Sequence, residues 1–158
     1  MYGQYIFTMR LTTFSDYAFR VLIYLGSAPQ GLATIADIAR AYGISENHLM
    51  KVVHALSRLG YVETVRGKGG GMRLARPPGE INVGEVLRAT EDGFALVDCM
   101  GEGESDCRIV RACALKGALG EALAAFLEVL DGYTLADLVR PQVARVFFSP
   151  GARAPSRD

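Results

Sequence analysis

Apolar positions recur at helical spacing through most of the first sixty residues and again after residue 110. Between Ser15 and Ser27, Tyr17, Val21, Leu22, Tyr24 and Leu25 predict a first helix that stops at the turn cluster Gly26-Ser27-Ala28-Pro29. Thr34 then reads as the cap of a short helix, Ile35 to Tyr42, with Ile35, Ile38 and Ala39 on one face and Gly43 as its stop. Ser45 caps a third run that reaches Leu59 and ends at Gly60. At roughly 100° per residue, Leu49, Val52, Val53, Leu56 and Leu59 of that run fall in one arc of about 120°. Asn47, His48, Lys51, His54 and Arg58 fall in the opposite arc, which carries no acid after Glu46. A short helix, a glycine turn and a longer helix together predict a helix-turn-helix.

The pattern then changes period. Tyr61 to Arg66 and Met72 to Ala75 flank Gly67-Lys68-Gly69-Gly70-Gly71, which predicts a β-hairpin with a glycine-rich tip, a wing. Lys68 is not followed by Ser or Thr and no helix opens after it, so a phosphate-cradling nucleotide loop is set aside. Arg76-Pro77-Pro78-Gly79 breaks the pattern and marks a domain boundary. Beyond it, Asn82 to Thr90 predicts a short helix with Val83, Val86 and Leu87 inward, and an acidic, glycine-containing loop runs from Glu91 to Asp106. Arg111 to Asp131 predicts a long helix striped by Leu115, Leu119, Ala122, Leu123, Phe126, Leu127 and Leu130. Tyr133 to Arg140 adds a further helical piece.

The expected fold class is therefore mainly α with a small β-hairpin wing: a winged helix-turn-helix followed by a long dimerisation helix. The expected domains are a DNA-binding unit over 9–76 and a second unit over 80–140, with a cofactor loop at 91–113, a dimerisation helix at 111–131, and flexible ends at 1–8 and 148–158. The stripe of the long helix could instead pack on its own domain. A winged helix already has a core, however, and a twin across a two-fold axis would match palindromic DNA.

Charge sharpens this division. The chain of 158 residues has no net charge, yet residues 1–80 hold nine Lys/Arg against five Asp/Glu, a net +4, and the remainder holds eight against twelve, a net −4. A basic half joined to an acidic half suits a nucleic-acid module beside one that does not touch nucleic acid. Amides and cations on the third helix suit base edges and phosphates, and the basic wing suits phosphates or a narrow minor groove. The candidate contacts to double-stranded DNA are Asn47, His48, Lys51, Arg58, Arg66, Lys68 and Arg73. An ordinary solvated face is the plainer alternative for the helix. Neither a signal peptide nor a membrane-length apolar run is visible, so the expected location is the cytoplasm.

The three cysteines carry the remaining chemistry. Seven residues separate Cys99 from Cys107 and five separate Cys107 from Cys113. Three clustered thiols suit a metal or redox site in a reducing compartment better than a disulfide framework. Zinc sites favour shorter spacings and need a fourth ligand that no nearby histidine supplies, so zinc is disfavoured but stays open. Soft thiolates on longer loops suit an iron–sulfur cluster, with one coordination position left over. Inert buried cysteines would need apolar cover that a Gly/Glu-rich loop lacks. No nucleophile–base pair is apparent, so an enzyme is not expected; a redox protein built on the cluster would need a substrate or docking surface that the sequence does not display.

Four segments together, Met9-Arg10-Leu11-Thr12-Thr13-Phe14-Ser15-Asp16-Tyr17, the wing Val65 to Gly71, the three-cysteine loop and Tyr133-Thr134-Leu135-Ala136-Asp137-Leu138-Val139, resemble the Rrf2 family of winged-helix regulators. The resemblance spans about residues 9 to 140 and is greatest to the family's nitric-oxide-sensing repressors. It implies a homodimer with one iron–sulfur cluster per subunit, of the 4Fe-4S type in preference to 2Fe-2S, held by Cys99, Cys107 and Cys113 and completed by Asp16 from the other subunit. A carboxylate is a harder, weaker partner for iron than a thiolate, which would leave that iron open to a small molecule. Asp16 could otherwise be an acid favoured by a helix N-terminus. The implied function is repression by the cluster-loaded dimer, relieved when nitric oxide nitrosylates the cluster. The seven-residue first interval is instead like that of the family's iron-responsive repressors, so an iron or oxygen input is the alternative. Lys116 stands where the family's cluster-biogenesis regulators carry histidine. Family members start at the Met-Arg-Leu-Thr run, so Met1 to Thr8 read as an extension from an upstream start.

Overall fold

The computed structural model describes residues 10–29, 31–103 and 105–149. Among these described residues, two 3-10 turns aside, the elements run in the order α1 (Thr13–Ser27), α2 (Ile35–Tyr42), α3 (Glu46–Arg58), β1 (Val62–Val65), β2 (Gly71–Leu74), α4 (Val83–Thr90), α5 (Ala114–Asp131), α6 (Leu135–Leu138) and α7 (Pro141–Phe148). The mainly helical architecture with one antiparallel hairpin is the one the sequence pattern predicts.

Local capping explains where the first helices begin. Thr12 Oγ1 accepts the Ser15 N–H, which starts α1 two residues before the expected Ser15. Thr34 and Asp37 form a reciprocal capping box at α2, and hydrogen bonds from Thr34 hold the Asp37 carboxyl below its usual range. Gly43 ends α2 at φ +66, a left-handed conformation that lacks a steric cost only without a Cβ. Ser45 Oγ accepts from His48 N–H to open α3. The third helix ends one residue earlier than its apolar arc suggests: Leu59 is the C-cap and is 43% exposed, so it leaves the inward face assigned to it.

The hairpin pairs Val62 with Leu74, Glu63 with Arg73, Thr64 with Met72 and Val65 with Gly71. Ala33 adds a two-bond bridge to Met72, tying the segment before α2 to the wing. Ala18, Val21, Leu22, Ile38, Leu49, Val52, Leu56 and Val62 form the core, and Ile81, Val86 and Leu135 belong to the same buried cluster. Apolar packing thus runs without interruption across residues 76–80. The Leu135 N–H donates to the Ile81 carbonyl at 2.8 Å, and Asn82 bridges Thr134.

Towards the far end, α5 crosses α4 closely. A Cβ on Gly84 would collide with Asp131 Oδ1, whose carboxylate is gripped at both oxygens by Arg88. The expected stripe on α5 is only partly covered by its own chain, for no residue of the helix is buried and Leu115 and Phe126 are 63% and 45% exposed. Beyond the predicted helical piece, α7 starts with Pro141 at its first turn and ends with Phe147 and Phe148 packed on Tyr24 at ring separations of 5.3 and 5.1 Å. The expected flexible end at 148–158 therefore starts with a packed Phe148; residues 150–158, like 1–8, lie outside the described residues.

Candidate nucleic-acid interface and cysteine loop

The outward side of α3 is built as the rotation of its sequence requires. Asn47, Lys51, His54 and Arg58 are exposed while Leu49, Val52, Val53 and Leu56 are buried. At one edge, His48 lies beside the Tyr17 ring of α1, with centroids 6.4 Å apart. At the other edge stands Met50, 52% exposed, which the two-arc reading assigned to neither face. β1 follows α3 and packs on it, which fixes the wing relative to the helix.

The wing carries its cations differently at tip and stem. Arg66 and Lys68 are exposed at the tip, and among the described residues neither forms an ion pair. Arg73 Nε donates to Glu63 Oε1 at 2.5 Å across the hairpin, so this cation is already positioned by a carboxylate. Gly67 and Gly69 turn the tip at φ +104 and +76, conformations that a side chain would strain.

All three cysteines are free. Cys99 sits half-buried in the 3-10 turn Asp98–Met100, Cys107 is exposed, and Cys113 is the half-buried residue that precedes α5. Among the described residues, the backbone around the first two is tied by Met100 N–H to the Val97 carbonyl, Gly101 N–H to the Asp98 carbonyl and Val110 N–H to the Cys107 carbonyl, with Cys107 N–H on Ser105 Oγ. Among the described residues no three or more His, Cys, Asp or Glu side chains gather closely enough to hold a metal ion. Asp16 lies on α1, half-exposed and ion-paired at 2.9 Å with Arg20, whose guanidinium also stands 5.4 Å from the Tyr42 ring centre. Among the described residues of a single chain, Asp16 and the three cysteines thus do not come together as a metal-holding group.

The donor set nevertheless fits an iron–sulfur cluster. Three soft, free thiols lie within fifteen residues on one loop, and the backbone hydrogen bonds around Cys99 and Cys107 are short-range. Cys113 is the N-cap residue of α5, so the third thiol is placed where the loop meets that helix.

The root of this loop is fastened to α1, a connection that sequence reading missed because the partners lie 79 residues apart. Glu91 Oε1 accepts from the Thr12 N–H at 2.8 Å and from Thr12 Oγ1 at 3.1 Å. One turn on, the buried Ser15 Oγ donates to Thr90 Oγ1 at 2.9 Å. Next to this clasp an apolar groove of about 360 Å³ opens between the start of α1 and α5, lined by Leu11, Phe94, Leu96, Leu123 and Phe126.

Comparison with known proteins gives concordant results. The Rrf2 family model, described as an iron-dependent transcriptional regulator, matches residues 11–141. The chain is 53% identical over 133 residues to the HTH-type transcriptional regulator NsrR of Bacillus subtilis, covering 84% of this chain and 91% of that protein. Among solved structures it is similar to CymR, the global cysteine regulator of B. subtilis, at TM-score 0.68 and 28% identity over 84% of this chain and 97% of the other. It is also similar to IscR of T. potens, at TM-score 0.66 and 29% identity over 83% and 86%.

Proposed function

The chain belongs to the Rrf2 family of transcriptional regulators, and from that premise we propose that it is a dimeric repressor whose grip on promoter DNA requires an iron–sulfur cluster and is released by nitric oxide. As a regulator of this family it binds DNA and is not an enzyme. What supports the finer reading is the near full-length likeness to NsrR together with three free thiols on one loosely tied loop. No helix among the described residues is long and apolar enough to cross a membrane, in keeping with a regulator that works beside the chromosome in the cytoplasm.

Each subunit places Asn47, His48, Lys51 and Arg58 of α3 towards a major groove, and Arg66, Lys68 and Arg73 of the wing towards flanking phosphates. The exposed side of α5 and the groove beside Leu11 and Phe126 meet a second copy, which sets two reading helices one helical turn apart on a palindrome. Cys99, Cys107 and Cys113 hold one cluster per subunit, of the 4Fe-4S type, and Asp16 completes the site across the dimer. When bound, the cluster supplies iron that reacts with nitric oxide. Arg20 holds Asp16 Oδ2 in the single chain, so ligation by Asp16 would use Oδ1 or displace that ion pair.

Protein purified without oxygen is expected to be coloured, to contain iron and sulfide, and to lose its footprint on promoter DNA as nitric oxide is added. Cys107→Ser protein retaining full iron and sulfide, or a footprint indifferent to nitric oxide, overturns the proposal. The family's iron-dependent description favours a second reading in which the input is iron supply. Under that reading an iron chelator, and not nitric oxide, releases the DNA.

A further inference from the structure

Six apolar residues belong to α3: four are buried, Ala55 is half-buried and Met50 is exposed. Leu49, Val52, Val53 and Leu56 are between 0% and 5% exposed, whereas Met50 is 52% exposed. Met50 shares its edge of the helix with Asn47, three residues before it, and His54, four after it, both exposed and polar. It also lies in the second turn from the Ser45 cap, within the N-terminal part of the helix, and a reading helix presents that part to base edges. A lone exposed apolar side chain is unremarkable on most surfaces. On an edge otherwise made of Glu46, Asn47 and His54 it supplies an apolar contact that those polar neighbours cannot.

The major groove offers one apolar feature among its hydrogen-bonding groups, the C5-methyl of thymine. A thioether chain is unbranched, polarisable and adaptable, which suits it to such a small apolar target. We propose that Met50 is a specificity-determining residue that packs on a thymine methyl in each half-site, beside the polar contacts of Asn47 and Lys51. The inference rests on the placement of α3 in the major groove.

The test uses full-length protein purified without oxygen and a duplex that it selects from a randomised pool, with each thymine replaced in turn by deoxyuridine. Burying one methyl is worth about fourfold in affinity. Wild-type protein is therefore expected to lose about fourfold at one thymine position of a half-site, and Met50→Ala protein to bind thymine and deoxyuridine there alike. The salt dependence should be the same for both proteins, because no charge has changed. Met50→Ala protein is expected to keep the wild-type urea midpoint, the side chain being largely in solvent. A deoxyuridine penalty that survives Met50→Ala unchanged, or no penalty at any thymine, overturns the inference. Asn47→Ala and Lys51→Ala separate the two levels: if both bind the selected duplex as wild type does, α3 is not the reading helix and the proposed function falls with it. If they weaken binding while Met50 shows no coupling to a methyl, only the assignment of Met50 fails.

Discussion

Leu135→Ala tests whether the chain after the wing is structurally one body with the reading module. Leu135 is 1% exposed and belongs to the cluster that holds Ala18, Val21 and Leu22 of α1. Its backbone bond to Ile81 survives the substitution, so the loss is confined to packing. Removing three carbons forfeits about 2.4 kcal/mol of transfer free energy at ~0.8 kcal/mol per methylene. The space left behind raises the total to about 3 kcal/mol. Urea unfolding at fixed protomer concentration, followed by tyrosine fluorescence and far-ultraviolet circular dichroism, reads the change. Tyr17, Tyr24, Tyr42 and Tyr61 report on the first half of the chain, which has no tryptophan to mask them. The expected outcome is one coincident transition moved to lower urea with its slope unchanged. A loss below about 1 kcal/mol, or fluorescence and dichroism that separate into two transitions, refutes the shared core.

Three further outcomes are expected. Glu91→Ala should cost about 1 kcal/mol and raise hydrogen exchange at the start of α1, Glu91→Gln less; unchanged exchange there would show that the clasp on Thr12 does not hold the helix. Burial first, against the opposing pull of Arg20, pushes the Tyr42 hydroxyl up to about 12. Its neutral form is therefore favoured in the fold, so the associated stability is intact below pH 10 and lost as pH rises towards 12; Tyr42→Phe should flatten that fall, and tyrosinate absorbance should show a late-titrating group. Lys68→Ala should weaken all DNA sequences alike and reduce the slope of log affinity against log salt by about 0.9, whereas an effect confined to one operator position contradicts a phosphate contact.

Much of the fold was legible because its first half is specified locally. Thr34, Ser45 and Asn82 cap helices whose apolar residues repeat in register, and the wing is bracketed by residues that leave few alternatives to a tight tip. The errors fall where distant or positional effects decide. The predicted helical piece stops at Arg140, but a further helix, α7, follows, with Pro141 in its first turn, where the missing N–H has no partner to lose. Leu59 carries the right periodicity but sits past the last turn of α3. Met50 has an apolar side chain on a polar edge, and a two-sided wheel has no place for it. The clasp of Glu91 on Thr12 depends on α4 returning to α1, and no local pattern encodes that return.

Under the proposed function, that return also gives a loop far along the chain a route to the proposed reading helix. α1 contacts α3, β2, α4, α6 and α7, and its central residues Ala18, Val21 and Leu22 are wholly buried. A helix packed on so many sides moves as a unit or not at all, because close-packed interiors transmit strain instead of absorbing it. Glu91 holds the first turn of this helix at Thr12, and Thr90 holds it again at Ser15, immediately before the cysteine loop departs. One turn of α1 also carries Asp16 and, through Arg20, leans on Tyr42 at the end of α2. Tyr17 meets His48 on α3. Under the proposed function, a pull on the root of the loop would reach α2 and α3, the two helices of the helix-turn-helix, through α1.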